Sequence, residues 1–146
     1  MTISSAICNT FKQQILVGTH NFTASSGNTF NIALYTSSAS LGAATTAYAS
    51  TNEISNTAGS AYSAKGLALT SVTPVLSSDT AVCDFANISW TSASFTARGC
   101  LIFNDTASGD PAVCAIDFGG DKTVTSGTFT IEFPTADANN AIVRIA

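Results

Sequence analysis

The sequence predicts an all-β fold: an antiparallel β-sandwich, jelly-roll or immunoglobulin-like, of about seven strands with one short N-terminal helix. Three observations predict it. From residue 30 onward, short alternating or apolar runs recur between clusters of turn residues, with no helical pattern separating them as a parallel α/β sheet would require. Of the 146 residues 45% are hydrophobic and only 10% charged, so Ser, Thr and Asn supply the polarity. Glu and Lys, which usually fill exposed helix faces, are scarce, while Thr, Val, Ile, Phe and Tyr suit pleated surfaces.

Ile3, Ile7, Phe11 and Ile15 recur every four residues, a spacing that places them on one slowly drifting stripe of a helix. Ser4 or Ser5 offers a cap and Gly18 a left-handed stop, which predicts a helix over about residues 4–17. So short an amphipathic helix has to bury its stripe, either on its own domain or as an arm on a neighbouring subunit. Residues 1–24 are accordingly set apart as an N-terminal helix or arm, and 25–146 as the β-sandwich domain.

Phe30 to Thr36 alternates Phe30, Ile32, Leu34 against Asn31, Ala33, Tyr35 and reads as the first strand. Residues 37–64, rich in Ser, Thr, Ala and Asn, read as a long surface excursion of the kind that often carries binding. Further strands are expected at Gly66–Val72, Thr80–Phe85, Phe95–Phe103, Ala112–Phe118, Thr128–Phe133 and Ala141–Ile145. Turn chemistry separates them at Ser77-Ser78-Asp79, Ser108-Gly109-Asp110-Pro111 and Gly119-Gly120-Asp121. Ile102, Phe103, Ile116, Phe118, Phe129, Ile131, Phe133, Ile142, Val143 and Ile145 form the expected core, each burial contributing about 1.5–3 kcal/mol.

Charge and motifs narrow the function classes. The net charge is −4, with five Lys and Arg and no basic run, so no nucleic-acid partner is expected. Met1 to Gly18 holds one cation, Lys12, among polar breaks and lacks the pattern of a signal peptide; with no apolar stretch of membrane-spanning length, a cytoplasmic origin and no membrane partner are expected. Cys8, Cys83, Cys100 and Cys114 show no zinc-ligand spacing; Cys83, Cys100 and Cys114, in apolar strand-like runs, read as small buried thiols, with Cys100 and Cys114 the best pair if any disulfide forms.

Catalytic constellations are not found. His20 is the single histidine, without a Gly-x-Ser-x-Gly elbow, and reads as a turn residue bonded to backbone. Asp117-Phe118-Gly119 has neither a kinase catalytic loop nor a phosphate loop beside it. Asn104 to Gly109 places oxygens as a calcium loop does, but its twelfth position is Ala115 instead of a bidentate carboxylate. Asp117 with Asp121, or Asp105 with Asp110, reads as turn aspartates rather than as a glycosidase pair. No catalytic, cofactor or metal residue is assigned, and a non-enzyme is expected. Trp90 reads as a core or interface anchor, or as a platform for a sugar.

Phe11-Lys12 with Leu16, Thr19-His20-Asn21-Phe22, Phe30-Asn31-Ile32-Ala33-Leu34-Tyr35-Thr36 and Leu41 with Thr46-Ala47-Tyr48 open an ordered series. Asn52-Glu53, Tyr62 with Gly66, Trp90-Thr91, Thr96-Ala97-Arg98-Gly99, Asp117-Phe118-Gly119 and Phe133-Pro134 with Ile142 and Arg144 continue it. Over nearly the whole chain this series resembles a family of small virion structural proteins of tailed bacteriophages. Lys65 departs from it, standing where a second glycine is expected before Gly66. The resemblance implies a virion part. The favoured expectation is a head decoration, or cement, protein that binds the outer capsid surface, with the major capsid protein and its own copies, as a homotrimer, for partners. A tail, neck or fibre component and a carbohydrate-binding module are the alternatives. Contacts are expected from residues 1–24 and 37–64, with Ile3, Ile7, Phe11, Ile15, Tyr35, Tyr48, Tyr62 and Trp90 as interface residues.

Overall fold

A computed structural model describes residues 2–146, over which the chain forms eight strands and one helix. The larger sheet contains β1 (Ala6–Ile7), β2 (Phe30–Tyr35), β3 (Leu67–Ala68), β6 (Ile88–Asn104) and β7 (Ala112–Ile131), in the order β1-β7-β6-β2-β3. The smaller sheet orders β4 (Ser71–Ser77), β5 (Thr80–Phe85) and β8 (Val143–Ile145) as β4-β5-β8. All strand pairs are antiparallel, as expected of an all-β sandwich.

The N-terminal segment departs most from expectation. The helix α1 runs only from Asn9 to Leu16, and Cys8, extended at φ −68° and ψ 139°, stands at its cap without a capping side-chain bond. Ala6 and Ile7 instead pair with Ala115 and Cys114, Ser4 N–H donates to Leu41 O at 2.9 Å, and Ser5 Oγ accepts from Asp117 N–H at 2.9 Å. The four-residue spacing explains the misreading: residues four apart share a face in a strand as well as on a helix. Ile3 and Phe11 are buried, and Ile7 and Ile15 half-buried, within the chain's own core. The stripe therefore packs at home, and the boundary at residue 24 does not divide two units, since β1 completes the edge of the larger sheet.

The long hairpin of β6 and β7 is the backbone of the fold. Gly119-Gly120-Asp121 does not end a strand. Between the pairs Ala97–Lys122 and Gly99–Asp117 the single residue Arg98 faces residues 118–121, so the expected turn is a wide bulge inside one strand. Likewise the stretch expected as one strand from Gly66 to Val72 is divided. Leu67–Ala68 pairs with β2, Leu69 is buried, and from Ser71 the chain pairs with β5 in the other sheet.

All six residues of β2 are buried, because the 37–64 segment covers the face that a two-layer reading leaves to solvent. That segment is more than a surface excursion: Ala39, Ile54, Ser60 and Tyr62 are buried in it. Beneath the sheets, Phe22 and Phe30 stack in parallel at 4.2 Å, with Phe85 at 6.3 and 6.0 Å from them. Ile102, Phe103 and Val143 are core as expected, while Ile116, Phe118, Phe129, Ile131, Phe133 and Ile142 line its margin. Ile145 is not core: it is 51% exposed at the end of an edge strand.

Candidate functional site

The aromatic residues expected at an interface lie inside the fold. Tyr35, Tyr62 and Trp90 are each at most 2% exposed. Tyr62 accepts a hydrogen bond from Leu34 N–H at 2.8 Å and donates to Glu53 Oε1 at 2.7 Å. Tyr48 donates to Glu53 Oε2 at 2.6 Å, and Lys65 N–H donates to Glu53 Oε1 at 2.8 Å. One carboxylate thus ties the excursion to β2. Burial, followed by the bond to Glu53, raises the Tyr48 hydroxyl to about 12. Tyr35 donates to Ala49 O at 2.8 Å. Trp90 packs among Tyr62, Phe95 and Phe129 at 6.1–6.3 Å. None of these three rings offers an open face to a sugar. Tyr48, half-buried, is stacked on Phe103 at 4.8 Å with the Lys65 ammonium 5.7 Å from its ring centre.

The polar groups weighed for chemistry are engaged with one another. Lys65 Nζ lies 2.8 Å from Asp105 and 2.9 Å from Asp110, bridging the loop that places oxygens like a calcium site. Arg98 Nε donates to Asp117 at 2.9 Å, and that bond, with a second from Gly119 N–H, holds the Asp117 carboxyl below its ordinary range. His20 is buried against Phe11 and bonds to side chains, Gln14 and Asn104, rather than to backbone as expected, because the core brings Asn104 to the ring. All four cysteines are free. Among the described residues no three His, Cys, Asp or Glu side chains group as metal ligands, and no helix is long and apolar enough to cross a membrane. A cleft of about 710 Å³ lies against the 38–52 segment, including Ser38, Ser40, Thr45, Thr46 and Thr51. Its walls carry hydroxyls, aliphatic groups, the Tyr35 side chain and the Asn52 carboxamide, with no carboxylate, amine, imidazole or thiol.

The surface unlike the rest is apolar and is built from α1 and the small sheet. Leu16 and Val17 close α1 at 86% and 67% exposed, and Leu76 on β4 is 72% exposed. Leu76 opposes Ala81 and Ala81 opposes Ile145, so the three share one row across the small sheet. Between α1 and β8 runs a groove of about 370 Å³ lined by Ile7, Phe11, Ile15, Leu16, Val143 and Ile145, with Lys12 and Arg144 beside them. A second cavity, about 530 Å³, continues from Ile15 and Ile145 under β5 towards Pro74.

Of the residues expected at an interface, Ile7 and Ile15 reach this surface from their inner side, and Phe11 forms its floor. Leu16, Val17, Leu76 and Ile145 are not among the expected interface residues, and Ile145 was expected in the core. The available signal was the run Ile15-Leu16-Val17 before Gly18, which places apolar residues off the helix stripe where solvent is expected. Compared with protein-family models, curated proteins and solved structures, the chain finds no match.

Proposed function

We propose that the protein is a structural component of a bacteriophage virion, a decoration protein that binds the outer face of the head and stabilises the shell by non-covalent contact. The major capsid protein and other copies of this chain, as a homotrimer, are its proposed partners. One observation carries this reading: Leu16 and Ile145 stand exposed on a groove, with Val17 exposed next to Leu16 and Leu76 exposed in the same sheet row as Ile145, in a chain whose aromatic residues are otherwise consumed by its own core. Clustered apolar surface of this kind fits contact with another protein. A ligand that binds only the assembled shell stabilises it by mass action, and weak sites repeated over one particle add together.

The contact surface differs from the one the sequence suggested. Removing residues 1–18 would delete β1 along with Ile3, Cys8 and Phe11 of the core, so truncation cannot isolate binding from folding. The test is reconstitution: heads lacking the protein are mixed with purified wild type or with Leu16→Asp, and bound copies and heat tolerance are measured. Wild type is expected to bind in many copies and raise the rupture temperature, and Leu16→Asp to do neither. Binding to isolated tails but not to heads would replace the decoration reading with that of a tail, neck or fibre part.

A further inference from the structure

We propose that the groove between α1 and the free edge of β8 receives an extended segment of a partner protein. The segment adds a strand to the small sheet and alternates apolar with acidic side chains. This rests on the reading that the apolar surface meets a protein partner, and it specifies the form that partner takes.

The first argument is the backbone. In the order β4-β5-β8 the small sheet has two edges. The β4 edge is blunted: Pro74 lacks an N–H, and the register slips between Val72 and Val75. The β8 edge has no proline and no bulge. The groove lies on that free side, since β8 and α1 line it and no β5 residue does. Unpaired strand groups beside an apolar trough are met by another extended chain, whose main chain pairs with the edge while alternate side chains enter the trough.

The second argument is packing. Phe11 and Val143 are buried and make a fixed floor, while Leu16 and Ile145 rise as exposed walls. Along a strand, side chains on one face repeat about every 7 Å, so two or three apolar residues of a docked segment would lie over these side chains.

The third argument is charge. The protein carries a net −4, yet two of its five Lys and Arg residues, Lys12 and Arg144, border this groove and no acidic side chain lines it. Lys65 and Arg98 are held in ion pairs, whereas Lys12 and Arg144 form none among the described residues. Lys12 reaches only Asn9 Oδ1 at 3.4 Å. Arg144 donates to the Ala138 carbonyl at 2.7 Å and lies in the field of Asp137. Acidic residues in the segment complement these cations and steer its approach.

The test selects peptides of about twelve random residues on immobilised full-length protein, the length of an edge-docking segment with flanks. Enriched sequences are expected to alternate apolar with acidic residues and to bind less well as salt rises. Leu16→Asp and Ile145→Asp, both at exposed positions, should weaken binding more than about tenfold, Lys12→Glu severalfold, and Val75→Asp on β4 not at all. Hydrogen exchange at residues 143–145 should slow in the complex. The inference is overturned by no enrichment, by basic or helix-patterned sequences, by indifference to Leu16 and Ile145, or by protection at residues 71–77 instead. The same variants on purified heads keep the two proposals apart. Heads that bind wild type and Leu16→Asp alike sink the groove and leave decoration standing. Heads that bind neither, while peptides are still captured, do the reverse.

Discussion

Nδ1 of His20 accepts a hydrogen bond from the Asn104 side-chain amide at 3.2 Å, while the other ring nitrogen sits 2.9 Å from Gln14 Oε1. An amide nitrogen only donates, so Nδ1 is bare and Nε2 carries the proton towards Gln14. Asn104, wholly buried, also donates to Asn28 Oδ1 at 3.0 Å and accepts from the Thr106 and Ala107 N–H groups through Oδ1. Helix, connector and hairpin loop are thus joined through one imidazole.

That arrangement makes stability fall in mild acid. Burial holds the His20 pKa below its ordinary 6.5. Below that value the unfolded chain gains a proton that the folded chain does not, and a proton on Nδ1 would face the Asn104 amide. Between about pH 7.5 and about pH 5 the urea midpoint should therefore drop. In His20→Phe, which keeps an aromatic ring but cannot titrate, this slope should flatten even if the protein is weaker throughout. A wild-type midpoint constant across the range would refute the assignment.

The partners of His20 show where sequence reading ends. His20 lies in the connector after α1 rather than in a turn, and its partner 84 residues away was not legible, because only tertiary packing brings Asn104 to it. Strands with clean alternation or compact apolar runs, Phe30–Tyr35 and Thr80–Phe85, fall where their residues place them. What misled was ambiguity of period. Ile3 and Ile7 fit helix and strand equally, and a Gly-Gly pair marks a bulge as well as a turn. The exposed apolar surface was the least legible part, since its residues come from a helix end, a proline-containing edge strand and the last strand.

Glu53, half-buried, should behave as a keystone of the excursion, since it accepts from Tyr48, Tyr62 and Lys65 N–H. Tyr62→Phe leaves the Leu34 N–H without its acceptor and removes one of the three donors to Glu53, a loss of about 1–3 kcal/mol in denaturant unfolding. Tyr48→Phe removes a single bond at a half-buried site and should cost about 0.5–1.5 kcal/mol. Equal effects from the two would mean that Tyr62 does not anchor β2.

The cysteines should remain thiols. Cys100 opposes Ile116 and Cys114 opposes Ile102, so the pair is diagonal on adjacent strands, where Cα atoms stand about 7–8 Å apart, beyond ordinary disulfide reach. Burial raises Cys8 and Cys83 to about 11, and Cys114 to about 12, which suppresses the reactive thiolate. Alkylation of the native protein without reductant should be slow and should mark half-buried Cys83 first, and all four should react after denaturation. A Cys100–Cys114 link in most molecules would contradict the geometry.

Phe11→Asp should abolish a stable fold. The ring lies 4.9 Å from His20 and 6.0 Å from Phe22, and truncating such a side chain costs about 3–5 kcal/mol before any penalty for a buried carboxylate. Loss of the cooperative melt is the expected readout.

At Gly66 there is no room for a side chain. Its φ is +65°, and an added Cβ would fall 1.8 Å from Ile32 O. Gly66→Ala should fail to yield folded protein, whereas Gly119→Ala, at φ +79° with nothing nearby, should cost only about 1–3 kcal/mol of backbone strain. Lys65 at φ +70° occupies the left-handed region just before Gly66, and its ammonium pairs with Asp105 and Asp110.

The pairing of Ala6 and Ile7 with Ala115 and Cys114 also governs the order in which the protein can be made. A chain emerging from the ribosome exposes its first strand early, but the edge that strand needs does not exist until β7 is synthesised. Closing so long a loop is entropically slow, and sheets built from such distant pairings fold in milliseconds to seconds rather than microseconds. In the interval Ile3, Ile7 and Phe11 remain available to any neighbouring nascent chain. Yield in the cell should accordingly depend on temperature and expression rate more steeply than the stability of the finished fold would suggest.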